Sequence, residues 1–130
     1  MSNKNIIIVE IKCSVNKVFA YTTDPQNTPK WIHDIAWESR SQEDVKAGTI
    51  YKNQNIEGDI QEFLITEIEK DKIFALKRLS DGYICVYHYT QVRENLSELK
   101  YEEWNPDGKY FAPMSSDYFQ ILKKILESDE

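Results

Sequence analysis

Cysteine and histidine are scarce in this chain, at two residues each. Cys13 and Cys85 lie far apart, and neither has metal-ligand spacing with the other or with His33 and His88. That spacing argues against a zinc site and a disulfide scaffold, so both cysteines read as reduced core residues, and no metal is expected. Glycine is limited to four positions, none forming a phosphate-cradling loop. Basic residues number 16 against 22 acidic ones, a formal net charge of −6. Without a Lys/Arg cluster such a surface does not suit a phosphate backbone, and no nucleic-acid partner is expected. No apolar run is long enough to span a membrane. The apolar stretch Ile6–Val9 that follows the first five residues is too short for a secretory signal. A cytoplasmic location is the expectation. Ser/His/Asp triads and paired-carboxylate motifs are missing as well, and no cofactor is expected. Ser115-Ser116-Asp117 reads as a helix start.

What is abundant is aromatic. Eight Tyr, three Trp and five Phe in 130 residues exceed the needs of a plain core of this size. Tyr and Trp need a polar partner when buried, so this load points to a lined space holding some water. The length suits a single domain, 1–130, with a core of its own.

The order of elements follows from hydrophobic period and turn chemistry. Asn5–Lys12 reads as a strand. Ser14 is placed to cap a helix carrying Val15, Val18 and Phe19, which ends before Pro25 because the residue preceding a proline avoids the α region. A second short helix, Gln26 to about Ile32, follows with Trp31 near its end. Six strands come next: Ile35–Ser39, Thr49–Ile56, Ile60–Ile68, Lys72–Leu79, Tyr83–Val92 and Leu96–Trp104. All four glycines fall in the breaks between elements, and Asp81-Gly82 is a strong hairpin signal. Last comes a helix, Ser115 to Glu127, whose apolar residues Tyr118, Phe119, Ile121, Leu122, Ile125 and Leu126 span a broad face. The sum is an α+β chain: a curved antiparallel sheet of six or seven strands wrapped on one C-terminal helix. A sheet wrapped in this way leaves space for a pocket, and a fully packed sandwich is the alternative.

Several of these stretches also resemble the START-like (SRPBCC) superfamily. They are Ile11-Lys12-Cys13-Ser14, Val18-Phe19, Thr23-Asp24-Pro25 and Pro29-Lys30-Trp31, then Gly48-Thr49, Gly58 and Ile65-Thr66-Glu67. Tyr87-x-Tyr89, Ser97-Glu98-Leu99 and the final Leu122-Lys123-Lys124-Ile125-Leu126-Glu127 complete the set. The pattern covers nearly the whole chain and is nearest to the polyketide cyclase/dehydrase-like branch. It departs at Cys13-Ser14, where Ala-Pro is usual, and in a shorter terminal helix. The resemblance implies a helix-grip fold with a cavity between sheet and helix for lipids, sterols, polyketides and other hydrophobic molecules. It brings no catalytic motif.

Candidate site residues follow from parity along the strands. Tyr83, Cys85, Tyr87 and Tyr89 share one face of the sixth strand, with His88 on the other. The resemblance puts Tyr87 and Tyr89 inward, as pocket lining or as core. Leu99, Tyr101 and Glu103 share a face of the last strand. Glu103 reads either as a pocket carboxylate, binding a ligand or acting as acid/base, or as a solvated strand-end residue. Trp31, Trp37, Phe63 and Phe119 are further lining candidates, each equally readable as core. The favoured function is binding or carriage of a small hydrophobic ligand. The alternatives are a metal-free cyclase, dehydratase or isomerase using Glu103, and a co-chaperone-like protein-binding module. A monomer or homodimer fits each.

Overall fold

Why the first third of the chain folds as it does is visible in its caps. In a computed structural model, which describes residues 3–128, Asn5–Ile11 forms strand β1. The Ser14 hydroxyl accepts the amide of Lys17 and opens helix α1, Val15–Thr23. Asp24 ends that helix and caps the next turn by accepting the amide of Gln26. A 3-10 turn, Pro25–Asn27, then runs into α2, Thr28–Trp31. Pro25 and Pro29 occupy first-turn positions, where the missing N–H costs nothing.

Six strands follow: β2 Ile35–Arg40, β3 Ile50–Asn55, β4 Ile60–Glu69, β5 Ile73–Arg78, β6 Ile84–Arg93 and β7 Leu96–Trp104. Consecutive strands from β2 to β7 pair as antiparallel neighbours, and β1 joins the far side of β7. The result is one curled sheet, a half-barrel, with order β1-β7-β6-β5-β4-β3-β2. Gly58 (φ 97°) and Gly82 (φ 79°) sit in hairpin turns whose backbone lies in the left-handed region, which costs glycine little.

Helix α3, Ser116–Ser128, lies in the grip of this sheet with Phe119, Leu122 and Leu126 buried. Their spacing of three and four puts them on one stripe. The helix is tied to β1 at its end: the Lys123 ammonium donates to the Glu10 carbonyl (2.7 Å), and the amide of Lys12 donates to the Glu127 carboxylate (2.8 Å). Inside, Ile11, Val18, Tyr51, Ile65, Leu99 and Tyr101 join the α3 stripe in one core. Cys13 and Cys85 are both buried free thiols.

Arg78 and Asp81 clamp the β5–β6 hairpin. The guanidinium donates twice to the Asp81 carboxylate, each at 2.9 Å, and also to Gln61 (3.1 Å). Arg78 beside it holds the Asp81 carboxyl at about 2, below its ordinary 3.8. A lowered carboxyl stabilises the folded chain above its unfolded value and loses that contribution as pH falls through the folded one. After allowance for solvent screening, Asp81→Asn should therefore cost about 1 kcal/mol at neutral pH. The gap between variant and parent should narrow from about pH 4 and close only as pH falls through about 2. Urea titrations across that range measure it.

Candidate functional site

Alternation along the strands builds the site. Tyr51 and Asn53 of β3, Gln61 and Phe63 of β4, Phe74, Leu76 and Arg78 of β5, Cys85 and Tyr87 of β6, and Tyr101 and Glu103 of β7 all face one space. Each set is two apart, as the pleat requires. Trp31 and Ile32 at the end of α2 form one wall; Phe111–Met114 and Tyr118 form another. The cleft, open to solvent on one side, has a volume of about 390 Å³, within the range of small-molecule pockets.

Its floor is an aromatic cluster. Tyr87 meets Tyr101 edge-on at 5.0 Å between ring centroids, and Trp31 meets Tyr87 at 6.5 Å. Burial pushes the Tyr87 and Tyr101 phenols well above their usual range and the Cys85 thiol up to about 12. These groups stay neutral at physiological pH and offer apolar surface and hydrogen bonds, not nucleophiles.

Trp31, Phe63, Tyr87, Tyr101 and Glu103 of the expected site residues line this cleft. Tyr89 and Phe119 share the inner face but lie outside the cleft. The Tyr89 hydroxyl is spent on the Thr22 hydroxyl, 2.7 Å away, and its ring packs against Phe19 of α1. Phe119 is core, wedged between Trp31 and Tyr101 at 5.2 and 5.1 Å. His88 faces outward and pairs with Glu102 (2.8 Å). Trp37 is partly exposed and donates its indole N–H to Gln54 (2.8 Å).

Glu103 is not the solvated strand-end residue that one reading allowed, being 1% exposed. Its Oε1 accepts the hydroxyls of Tyr83 and Tyr101 (3.1 Å for the latter), and its Oε2 accepts Asn5 Nδ2 (2.7 Å) and the Met114 amide (2.6 Å). Four donors occupy the lone-pair positions that a carboxylate has to offer. The residue ties β1, β7, the turn residue just before β6 and the 105–115 connection together.

A second carboxylate, which parity reasoning did not single out, stands across the cleft. Glu38 of β2 accepts the Thr28 hydroxyl at Oε1 (2.6 Å) and Asn53 Nδ2 at Oε2 (3.1 Å). Burial pushes its carboxyl up, against the lowering effect of those two bonds. It turns inward because the β2–β3 register shifts between Ile35 and Trp37. With an extra residue in the strand, Ile35 and Glu38, three apart, both reach the cleft. Asn53 Oδ1 and Trp31 Nε1 are buried with no hydrogen-bond partner. Among the described residues no group of three His, Cys, Asp or Glu side chains is arranged to hold a metal ion.

No protein-family model matches the sequence, and no curated protein matches it. Solved structures do match. The protein XoxI from Bacillus cereus superposes with a TM-score of 0.73 at 14% identity, over 97% of this chain and 96% of that one. Norcoclaurine synthase from Thalictrum flavum, in complex with dopamine and hydroxybenzaldehyde, gives 0.71 at 9% identity, over 100% and 89%. The Aha1 dimer from Colwellia psychrerythraea gives 0.70 at 16%, over 95% and 96%. The fold is the helix grip. At these identities the likeness is one of architecture. The cleft lies between the sheet, the end of α2, the 111–114 segment and the first turn of α3. No helix among the described residues is long and apolar enough to cross a membrane.

Proposed function

We propose that this helix-grip protein binds a small, largely apolar molecule in the cleft, as a carrier or ligand-binding protein of the cytoplasm, monomeric or homodimeric. The observation that carries the reading is the aromatic-walled space of about 390 Å³ bounded by the sheet, the end of α2, the 111–114 segment and the start of α3. Apolar walls supply affinity, and a few convergent polar groups supply orientation. The ligand complex of norcoclaurine synthase supports a helix grip as a container for ring-sized molecules.

An environment-sensitive apolar dye should bind the native protein and brighten. Phe63 is half-buried and lines the cleft, so Phe63→Trp adds bulk to the open space and not to the core. It is expected to weaken dye binding by about tenfold, or 1.4 kcal/mol, with little change in the urea midpoint. Undiminished dye binding would place the dye elsewhere and sink the reading.

A catalytic reading, as a cyclase, dehydratase or isomerase, is favoured by one observation: a cleft carboxyl at Glu38 pushed up by burial, the direction a general acid/base needs. Glu103, with every acceptor position engaged, suits a supporting role better than proton transfer.

A further inference from the structure

A buried tyrosine needs a partner for its hydroxyl, and five tyrosines line the cleft: Tyr51, Tyr83, Tyr87, Tyr101 and Tyr118. Four of the hydroxyls are engaged. Tyr51 donates to the Thr23 carbonyl (2.6 Å), Tyr83 and Tyr101 donate to Glu103, and Tyr118 has Asp34 as its partner. Tyr87 alone of the five has no hydrogen-bond partner among the described residues. The residue is 7% exposed, and it lines the cleft. Trp31 Nε1 and Asn53 Oδ1 are sealed from any occupant; the Tyr87 oxygen is not among the sealed atoms and stays open to the cleft.

The rings around Tyr87 do not make up the deficit. Trp31 and Tyr101 meet it edge-on, and Phe74 is tilted against it at 5.7 Å. Tyr89, stacked on it at 6.4 Å, has its own hydroxyl on Thr22. Burial keeps the Tyr87 phenol neutral, so it presents an O–H donor. A wholly apolar occupant would press carbon against that hydroxyl and leave it unpaired, which is costly. An occupant with an acceptor oxygen at that depth would not. An oxygen bringing a proton of its own would need a second acceptor, which these rings do not offer. Among the described residues no lysine or histidine lines the cleft, and Arg78 is committed to Asp81 through both carboxylate oxygens. An ionised acid therefore meets no free cation there.

Resting on the reading of the cleft as a ligand site, we propose that Tyr87 is its specificity-determining residue. The ligand is an uncharged carbonyl compound, a ketone, ester or lactone, whose oxygen accepts from the Tyr87 hydroxyl. The rest of the ligand is apolar and lies against Trp31 and Phe63. Tyr83 and Tyr101, tied to Glu103, serve as wall and offer no competing donor. The Tyr87 hydroxyl then works as a filter. Hydrocarbons strand it, and carboxylates satisfy it only by bringing an uncompensated charge into the cleft.

Three probes on one bicycle separate the alternatives: 2-tetralone, tetralin and 1,2,3,4-tetrahydro-2-naphthoate. Binding to 15N-labelled protein is followed by the Trp31 indole signal, assigned by its absence in Trp31→Phe. Tyr87→Phe should bind the ketone about tenfold more weakly than the parent does, the worth of one hydrogen bond. It should bind the hydrocarbon at least as well as the parent. The carboxylate should bind the parent more weakly than the ketone. With 13C-carbonyl tetralone, the bound carbonyl stretch should lie lower in the parent than in Tyr87→Phe, a signature that altered packing alone would not give. The free protein supplies a further check. Tyr87→Phe removes no internal hydrogen bond and should leave the urea midpoint in place, whereas Tyr101→Phe should lower it. Equal loss in the two variants would mean that the Tyr87 hydroxyl is paired inside the protein, and the proposal falls. Undiminished ketone binding in Tyr87→Phe, or carboxylate binding that equals the ketone's, overturns it while the apolar cleft stands. If no probe and no dye binds, both fall together.

Discussion

Glu103→Leu is expected to lower the stability of the protein by about 4 kcal/mol, reckoning three of its four donors left unpaired at 1–3 kcal/mol each. Leucine approximates the volume but accepts nothing. The Met114 amide loses its acceptor, and Asn5 Nδ2 keeps only its longer bond to the Met114 carbonyl (3.4 Å), while the Tyr83 and Tyr101 hydroxyls, 3.0 Å apart, can still bond to each other. Glu103→Gln should fall between, at about 2 kcal/mol, since one amide oxygen can still serve the Asn5 and Met114 donors. The urea midpoint at constant m-value is the measurement. A neutral Glu103→Leu would mean that these donors are satisfied by water and that the carboxylate is not a tie between strands. Because Met114 is one of the four, the leucine variant should also speed amide exchange in the 105–115 connection before the sheet itself opens.

Leu122→Ala is expected to cost about 4 kcal/mol, in the upper part of the range for a fully buried leucine. Its side chain is 0% exposed, and only Phe119 and Leu126 share its stripe on the buried face of α3. The helix has thirteen residues, too few to hold its shape without packing. Removing the middle residue of a three-residue stripe therefore loosens the whole element. Lys124→Ala on the exposed back of the same helix should stay within about 0.5 kcal/mol. Thermal or urea unfolding of the pair reads the contrast directly. Similar values for the two would show that the stripe is not what seats the helix.

Much of this architecture is readable from the residues alone. Gly58, Gly82, Asn95 and Asp71 all stand at positive φ in the breaks between strands, so turn chemistry marks strand ends within a residue or two. Pleat parity groups Tyr87 with Tyr89, opposite His88, and Tyr101 with Glu103; which of the two faces is concave follows from the family resemblance and not from period. Parity cannot say which helix covers which part of that face. Tyr89 and Tyr87 are equivalent by period, yet α1 closes over the first and leaves the second open. Nor does parity survive an irregular strand. The shift in β2 turns Trp37 out and Glu38 in, and nothing in Ile35-Ala36-Trp37-Glu38 announces it. The count of donors around Glu103 was equally hidden, since they come from residues 5, 83, 101 and 114, which only the closed sheet brings together.

The pairing of β1 with β7 has a consequence in time. Val9 sits opposite Leu99, so the first strand made is among the last to find its neighbour. At synthesis rates of about 5–20 residues per second, β1 waits on the order of 5–20 seconds for β7 to leave the ribosome. During that wait Ile6-Ile7-Ile8-Val9 is an uncharged, β-branched segment with no partner, the composition that recruits other strands. Lys4, Glu10 and Lys12 flank it and act as charged gatekeepers. Replacing them with neutral residues should raise the fraction lost to inclusion bodies while leaving the midpoint of the purified protein nearly unmoved. Yield would then be set by the order in which the strands are born, not by the strength of the finished sheet.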